Sequence, residues 1–159
     1  MSQDTAGIDL ETSLGYLLKE ASSVLRAAME EVLRPLGMSV THYACLELLA
    51  QRPGLSNSEL SRGAFVTRQS MNVLLQALER DGYVTRPAEA PKGKVLPTRL
   101  TPRGRRSLEK ATVAVRSVEV RMLAGTTETE QSYAFRILKN MIHSLRDGND
   151  GAAGRQASV

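Results

Sequence analysis

A single cysteine, Cys45, excludes any intrachain disulfide. Such scarcity fits a cytoplasmic protein better than a small secreted scaffold. There is no tryptophan, and aromatic residues make up only 4% of the 159 positions. A core must therefore be built from Leu, Val, Ala and Met. No stretch approaches the ~18 consecutive apolar residues of a membrane-spanning helix. Residues 1–9 have neither the basic start nor the apolar run of a secretory leader, so a cytoplasmic location is expected. Two His and one Cys, with His143 far along the chain from His42 and Cys45, make no zinc-binding spacing. No glycine-rich phosphate loop or nucleophile motif is present. No enzymatic activity, cofactor or metal is therefore expected.

Positive charge is concentrated rather than abundant. The net charge is +4, yet the segment from Arg62 to Arg106 holds ten Lys or Arg against three acids, Glu79, Asp81 and Glu89, a net of +7. The remainder of the chain is consequently acidic on balance. A basic middle between acidic-leaning ends implies a localised anion-binding surface. Charge alone does not choose between nucleic acid and a membrane surface.

The segment Thr67–Arg80 makes that choice. Met71, Leu74, Leu75 and Leu78 fall at i, i+3, i+4 and i+7, one apolar stripe of a helix. The opposite face carries Gln69, Asn72, Val73, Gln76 and Arg80. Amide side chains match adenine, whose major-groove edge offers one donor and one acceptor. Thr67 is a good N-cap, and Val66 with Met71 occupy the positions of a hydrophobic staple. The first turn holds Arg68, Gln69 and Ser70 where acids are usually favoured, so its free N–H groups suit a phosphate. An ordinary amphipathic surface helix would show the same stripe, and the flanking segments weigh against that alternative.

Helical spacing of Leu10, Leu14, Leu17, Leu18, Ala21, Leu25, Ala28 and Val32 predicts a long first helix, ending near Arg34-Pro35-Leu36-Gly37. A second is expected from about Thr41, stopped by Arg52-Pro53-Gly54. Ser56 and Glu59 form a capping box, with Leu55 and Leu60 as staple, opening a short helix over Ser58–Ala64. Only Phe65 and Val66 separate it from the Thr67 helix, which Gly82 closes in the C′ position. This is a helix–turn–helix arrangement. A strand over Tyr83–Arg86, a loop over Pro87–Gly93 and a return strand over Val95–Leu100 form a basic wing. Pro97 makes the return strand an edge. Thr101 and Pro102 stand as N-cap and N1 of a helix reaching about Leu123. Thr126 or Thr127 caps a last helix striped by Ile137, Leu138, Met141, Ile142 and Leu145. Asn149–Val159, without periodicity, reads as a mobile tail.

The order of elements resembles the MarR family of winged helix–turn–helix regulators over roughly Leu14–Leu145. The marks are Pro53-Gly54-Leu55-Ser56-Asn57-Ser58-Glu59-Leu60, Val66-Thr67-Arg68-Gln69-Ser70-Met71-Asn72, Leu78-Glu79-Arg80-Asp81-Gly82-Tyr83-Val84 and Leu100-Thr101-Pro102-Arg103-Gly104. Each is weak alone, and four in the family's order are specific. The resemblance implies a mainly α fold, a winged helix–turn–helix with a two-stranded wing and terminal dimerisation helices. The division expected is a flexible 1–9, a single domain over 10–147 and a flexible 148–159. Within the domain, 41–100 forms the DNA-binding lobe, while 10–34 and 101–147 form the dimerisation helices. A homodimer would set its two Thr67 helices in successive major grooves of a palindromic operator and its wings in flanking minor grooves. The expected DNA-facing residues are Ser56, Thr67, Arg68, Gln69, Ser70, Asn72, Val73, Gln76, Arg86, Lys92 and Lys94.

At the wing the chain departs from the family. Lys92-Gly93-Lys94 stands where an Asp-x-Arg pair is usual. Lysine keeps the charge without the planar guanidinium and its bracing carboxylate, so the wing should add affinity more than sequence choice. Members of the family bind aromatic acids in a crevice between the lobe and the dimerisation helices. The resemblance puts Arg26 and His42 at its wall, where a guanidinium and an imidazole suit a carboxylate. A plain alternative leaves Arg26 solvated and His42 packed on a neighbouring helix. The function implied is a dimeric, sequence-specific DNA-binding regulator, a repressor released by a small aromatic acid. Two rivals remain: a winged-helix protein-interaction module, and a redox-sensing regulator using Cys45. For the second, an apolar stripe of Leu46, Leu48 and Leu49 around Cys45 favours a structural thiol.

Overall fold

A computed structural model describes residues 7–88 and 96–153. Six α-helices and one two-stranded sheet are present among them: α1 Leu14–Leu33, α2 Val40–Gln51, α3 Asn57–Ala64, α4 Arg68–Arg80, β1 Val84–Thr85, β2 Arg99–Leu100, α5 Pro102–Leu123 and α6 Glu128–Ala153. The chain divides into two compact units, residues 1–118 and 119–159. No helix of the described residues is long and apolar enough to cross a membrane.

Short polar residues decide where the helices begin. Ser13 accepts the Tyr16 N–H and starts α1, so Leu10 falls in the preceding turn and the helix opens four residues later than its apolar spacing predicts. Ser39 does the same for α2 by accepting the His42 N–H. The Ser56–Glu59 capping box of α3 is closed in both directions, at 3.0 and 3.2 Å. Thr127 and Glu130 form a second such box at the start of α6. Pro35 lies in a 3-10 turn, Arg34–Leu36, that Gly37 ends in the left-handed conformation. The last helix runs through Gly148 to Ala153, past the expected start of the tail. One glycine costs a helix about 1 kcal/mol, too little to stop a long one already propagating.

The first unit holds the core. Leu33 of α1, Cys45, Leu46 and Leu49 of α2, Leu60 of α3, and Met71, Leu75 and Leu78 of α4 are buried together with Val84, Leu108 and Ala111. Each such Leu or Met contributes about 1.5–3 kcal/mol by leaving water. In the sheet, Val84 pairs with Leu100 and Thr85 with Arg99, antiparallel. A bridge between Leu55 and Thr98 extends it on the far side of β2. The return strand is therefore shorter than expected and is paired on both sides near Thr98. Pro97 lies just before that bridge. In the second unit, α6 has no buried residue among those described, and Tyr133, Phe135, Ile137, Leu138, Ile142 and Leu145 are all exposed.

Candidate nucleic-acid interface

The helix–turn–helix is built from α3 and α4. The Thr67 hydroxyl accepts the Ser70 N–H at 3.0 Å and donates to the Ser70 hydroxyl at 2.9 Å, fixing the start of α4. Met71 and Leu75 are fully buried, Leu78 is nearly so, and Leu74 is half-buried. That stripe orients the helix, and Arg68, Gln69, Asn72, Val73, Gln76 and Arg80 consequently face solvent. No acid stands in the first turn. At the other end Gly82, at φ 82°, donates to the Glu79 carbonyl while Tyr83 N–H donates to that of Leu78. This is the paired 5→2 and 6→1 closure of a Schellman motif.

Ser56 is half-buried with its hydroxyl engaged in the capping box, so only part of it is free for an outside partner. Lys92 and Lys94 lie outside the described residues. Arg86 is already engaged within the protein. Its Nε stands 3.1 Å from the Glu79 carboxylate and its side chain is 14% exposed. A guanidinium so covered and already paired braces β1 against the last turn of α4; it is not a free cation.

No local sequence signal distinguishes Asn57, Arg62 or Arg99. Asn57 donates through Nδ2 to the Arg68 carbonyl at 3.3 Å, tying α3 to the first residue of α4, while its Oδ1 is buried without a partner. Nothing in the local sequence marks that contact, because it spans the turn. Arg62 and Arg99 are exposed, and neither takes part in an ion pair among the described residues. The basic count over 62–106 includes them without ranking them.

Arg26 is exposed and pairs with Glu30 at 3.2 Å on its own helix. His42 is half-buried, meets the Tyr83 ring edge-on at 5.4 Å and leaves a buried Nε2 without a partner. Burial lowers its pKa below 6.5, and the nearby Asp81 carboxylate only partly offsets this. No hydrogen bond or ion pair joins Arg26 to His42. Tyr83 also lines a cavity of about 360 Å³ with Leu36, Arg103, Arg106, Ser107 and Lys110. The Arg103 guanidinium lies 4.9 Å from the Tyr83 ring centre. Cys45 is fully buried, and burial pushes its thiol up to about 12. A thiol so far from ionising is a poor nucleophile, which removes the support for a redox-sensing role. No cluster of three or more potential metal ligands occurs among the described residues.

The family profile described as MarR family matches residues 36–94, from the 3-10 turn after α1 through α2 and the helix–turn–helix and beyond β1. HTH-type transcriptional repressor Rv2887 of Mycobacterium tuberculosis is 42% identical over 135 residues, 85% of this chain and 97% of the relative. The chain belongs to the MarR family. A structure of that mycobacterial protein in complex with DNA aligns at TM-score 0.67 and 40% identity, covering 82% of this chain and 98% of the other. Its complex with salicylic acid aligns at TM-score 0.67 and 42% identity, covering 82% and 96%. A MarR family regulator from Silicibacter pomeroyi, 26% identical, has TM-score 0.77 over 86% of this chain and 92% of that one. Membership makes the α3–α4 pair, with the short sheet behind it, a winged helix–turn–helix.

Proposed function

We propose that this MarR family protein is a homodimeric, sequence-specific DNA-binding transcription regulator acting in the cytoplasm, a repressor released by a small aromatic acid, with no catalytic step. One observation carries it. The buried stripe of α4 turns Gln69, Asn72 and Gln76 to solvent beside an unpaired Arg68, in a chain 42% identical to a transcriptional repressor solved with DNA. Gln69, Asn72, Gln76 and Val73 read base edges, the last against a thymine methyl. Arg68, Ser70, Thr67, Ser56 and the wing lysines Lys92 and Lys94 hold the backbone, while Arg86 positions β1. The exposed apolar side chains of α1 and α6 are the dimer surface: Leu14, Leu17 and Val24 on one, Phe135, Ile137 and Ile142 on the other.

The effector half rests on Arg26, His42 and the chemistry around Tyr83. Salicylic acid is the ligand in a structure of the mycobacterial relative. A carboxylate of that size suits an exposed guanidinium and an imidazole with an unused nitrogen. Duplex binding measured across salt concentrations tests the core of the proposal. A specific complex with a steep negative salt slope, and a dimer by light scattering at micromolar concentration, are expected. A stable monomer, or equal weak binding to every duplex, would refute it.

A further inference from the structure

Phe65 occupies the turn between α3 and α4 with φ 58° and ψ 41°, the only non-glycine residue at positive φ among those described. A side chain with a Cβ adopts this left-handed conformation at a cost that glycine avoids. The turn does not need the ring. Backbone bonds close it, Phe65 N–H to the Arg62 carbonyl and Val66 N–H to that of Ser61. The ring is 86% exposed, more than any other large apolar side chain described, and stands outside the core. One of only two phenylalanines in the chain is thus held bare in a conformation that disfavours it.

Its surroundings indicate what covers it. Arg62 and Arg68 lie three residues to either side, both exposed and neither in an ion pair among the described residues. Two uncompensated guanidiniums would lose hydration without recompense in a protein partner's apolar groove. Phosphates would pair with both, and the deoxyribose between phosphates presents a carbon surface to the ring. We infer that Phe65 packs on the sugar of a DNA backbone beside the entry of α4, with Arg62 and Arg68 on neighbouring phosphates. This rests on the DNA-binding role proposed above. Backbone contacts carry no base identity, so Phe65 supplies affinity and placement, and the amides of α4 supply choice.

Phe65→Gly separates the fold from the contact, because glycine relieves the left-handed backbone and removes only the ring. With a duplex selected from a random pool by the unaltered protein, Phe65→Gly should melt no lower than the parent. It should lose roughly tenfold in affinity on both the selected and a random duplex, two rings per dimer being removed. Phe65→Leu, which keeps some apolar surface, should show a smaller loss. Parental affinity in Phe65→Gly would overturn the inference while leaving the regulator standing. So would a Phe65→Gly protein whose weaker binding is matched by dissociation in light scattering, since the ring would then belong to a protein interface. Failure of the unaltered protein to bind any duplex would overturn both.

Discussion

Gly104 lies so close to Tyr83 that a β-carbon at position 104 would overlap the Tyr83 carbonyl oxygen. The same carbonyl accepts the Thr101 N–H at 3.1 Å, and the Thr101 hydroxyl accepts that of Gly104 and donates to the Gly82 carbonyl. The exit of α4 and the first turn of α5 are thereby locked backbone to backbone. The orientation of α4 depends on this lock as well as on its own buried stripe.

Gly104→Ala should therefore destabilise the protein by about 3 kcal/mol, even though alanine is the better helix former, because a carbonyl cannot swing aside as a side chain can. Gly125, where an added β-carbon would meet nothing within 4 Å, is the control. Its alanine variant should stay within about 0.5 kcal/mol of the parent. Urea denaturation of the two variants measures both, and equal midpoints would refute the lock.

On the outer face of α4, Gln69→Ala or Asn72→Ala should cost roughly 1–3 kcal/mol on the specific site and spare random DNA. Arg68→Ala should weaken all duplexes and flatten the salt slope. Anisotropy titrations on paired specific and random duplexes distinguish the two classes. A Gln69→Ala loss equal on both would make that side chain a backbone contact.

A ligand releases DNA only if it binds the non-binding arrangement more tightly than the binding one. Millimolar salicylate is expected to weaken operator binding, and Arg26→Ala to remove that response while leaving affinity without salicylate unchanged. A gel-shift series with and without salicylate is the measurement. Undiminished binding, or a full response in Arg26→Ala, would retire Arg26 from the site.

The lowered pKa of His42 makes stability pH-dependent. Below the unfolded value of about 6.5 the unfolded chain takes up a proton that the folded chain resists. Stability is thus fully present above that value, declines as pH falls from there toward the lower folded pKa, and then levels. His42→Gln should flatten this part of the profile. Thermal melts between about pH 7.5 and pH 5, a range set around that unfolded value, will show it. An identical slope in the variant would place the titration elsewhere.

The periodic and punctuating residues were sufficient for much of this protein. The stripe Met71, Leu74, Leu75, Leu78 defines α4 and its free face, because burial on a helix repeats at about 3.6 residues. Ser56 with Glu59, Thr67, Gly82 and the Thr101-Pro102 pair mark element ends through local hydrogen bonds that need no distant partner. The MarR resemblance follows from those same local signals. Contacts across the chain were not legible. The Asn57 bond to Arg68, the Glu79 partner of Arg86, the Leu55–Thr98 bridge and the overlap at Gly104 each join residues whose meeting depends on how whole helices pack. Arg86 is one of ten cations between Arg62 and Arg106 that the sequence does not rank; the tertiary structure sets it apart, because the packing of β1 on α4 covers it against the Glu79 carboxylate while Arg62 and Arg68 stand exposed and outside any ion pair among the described residues.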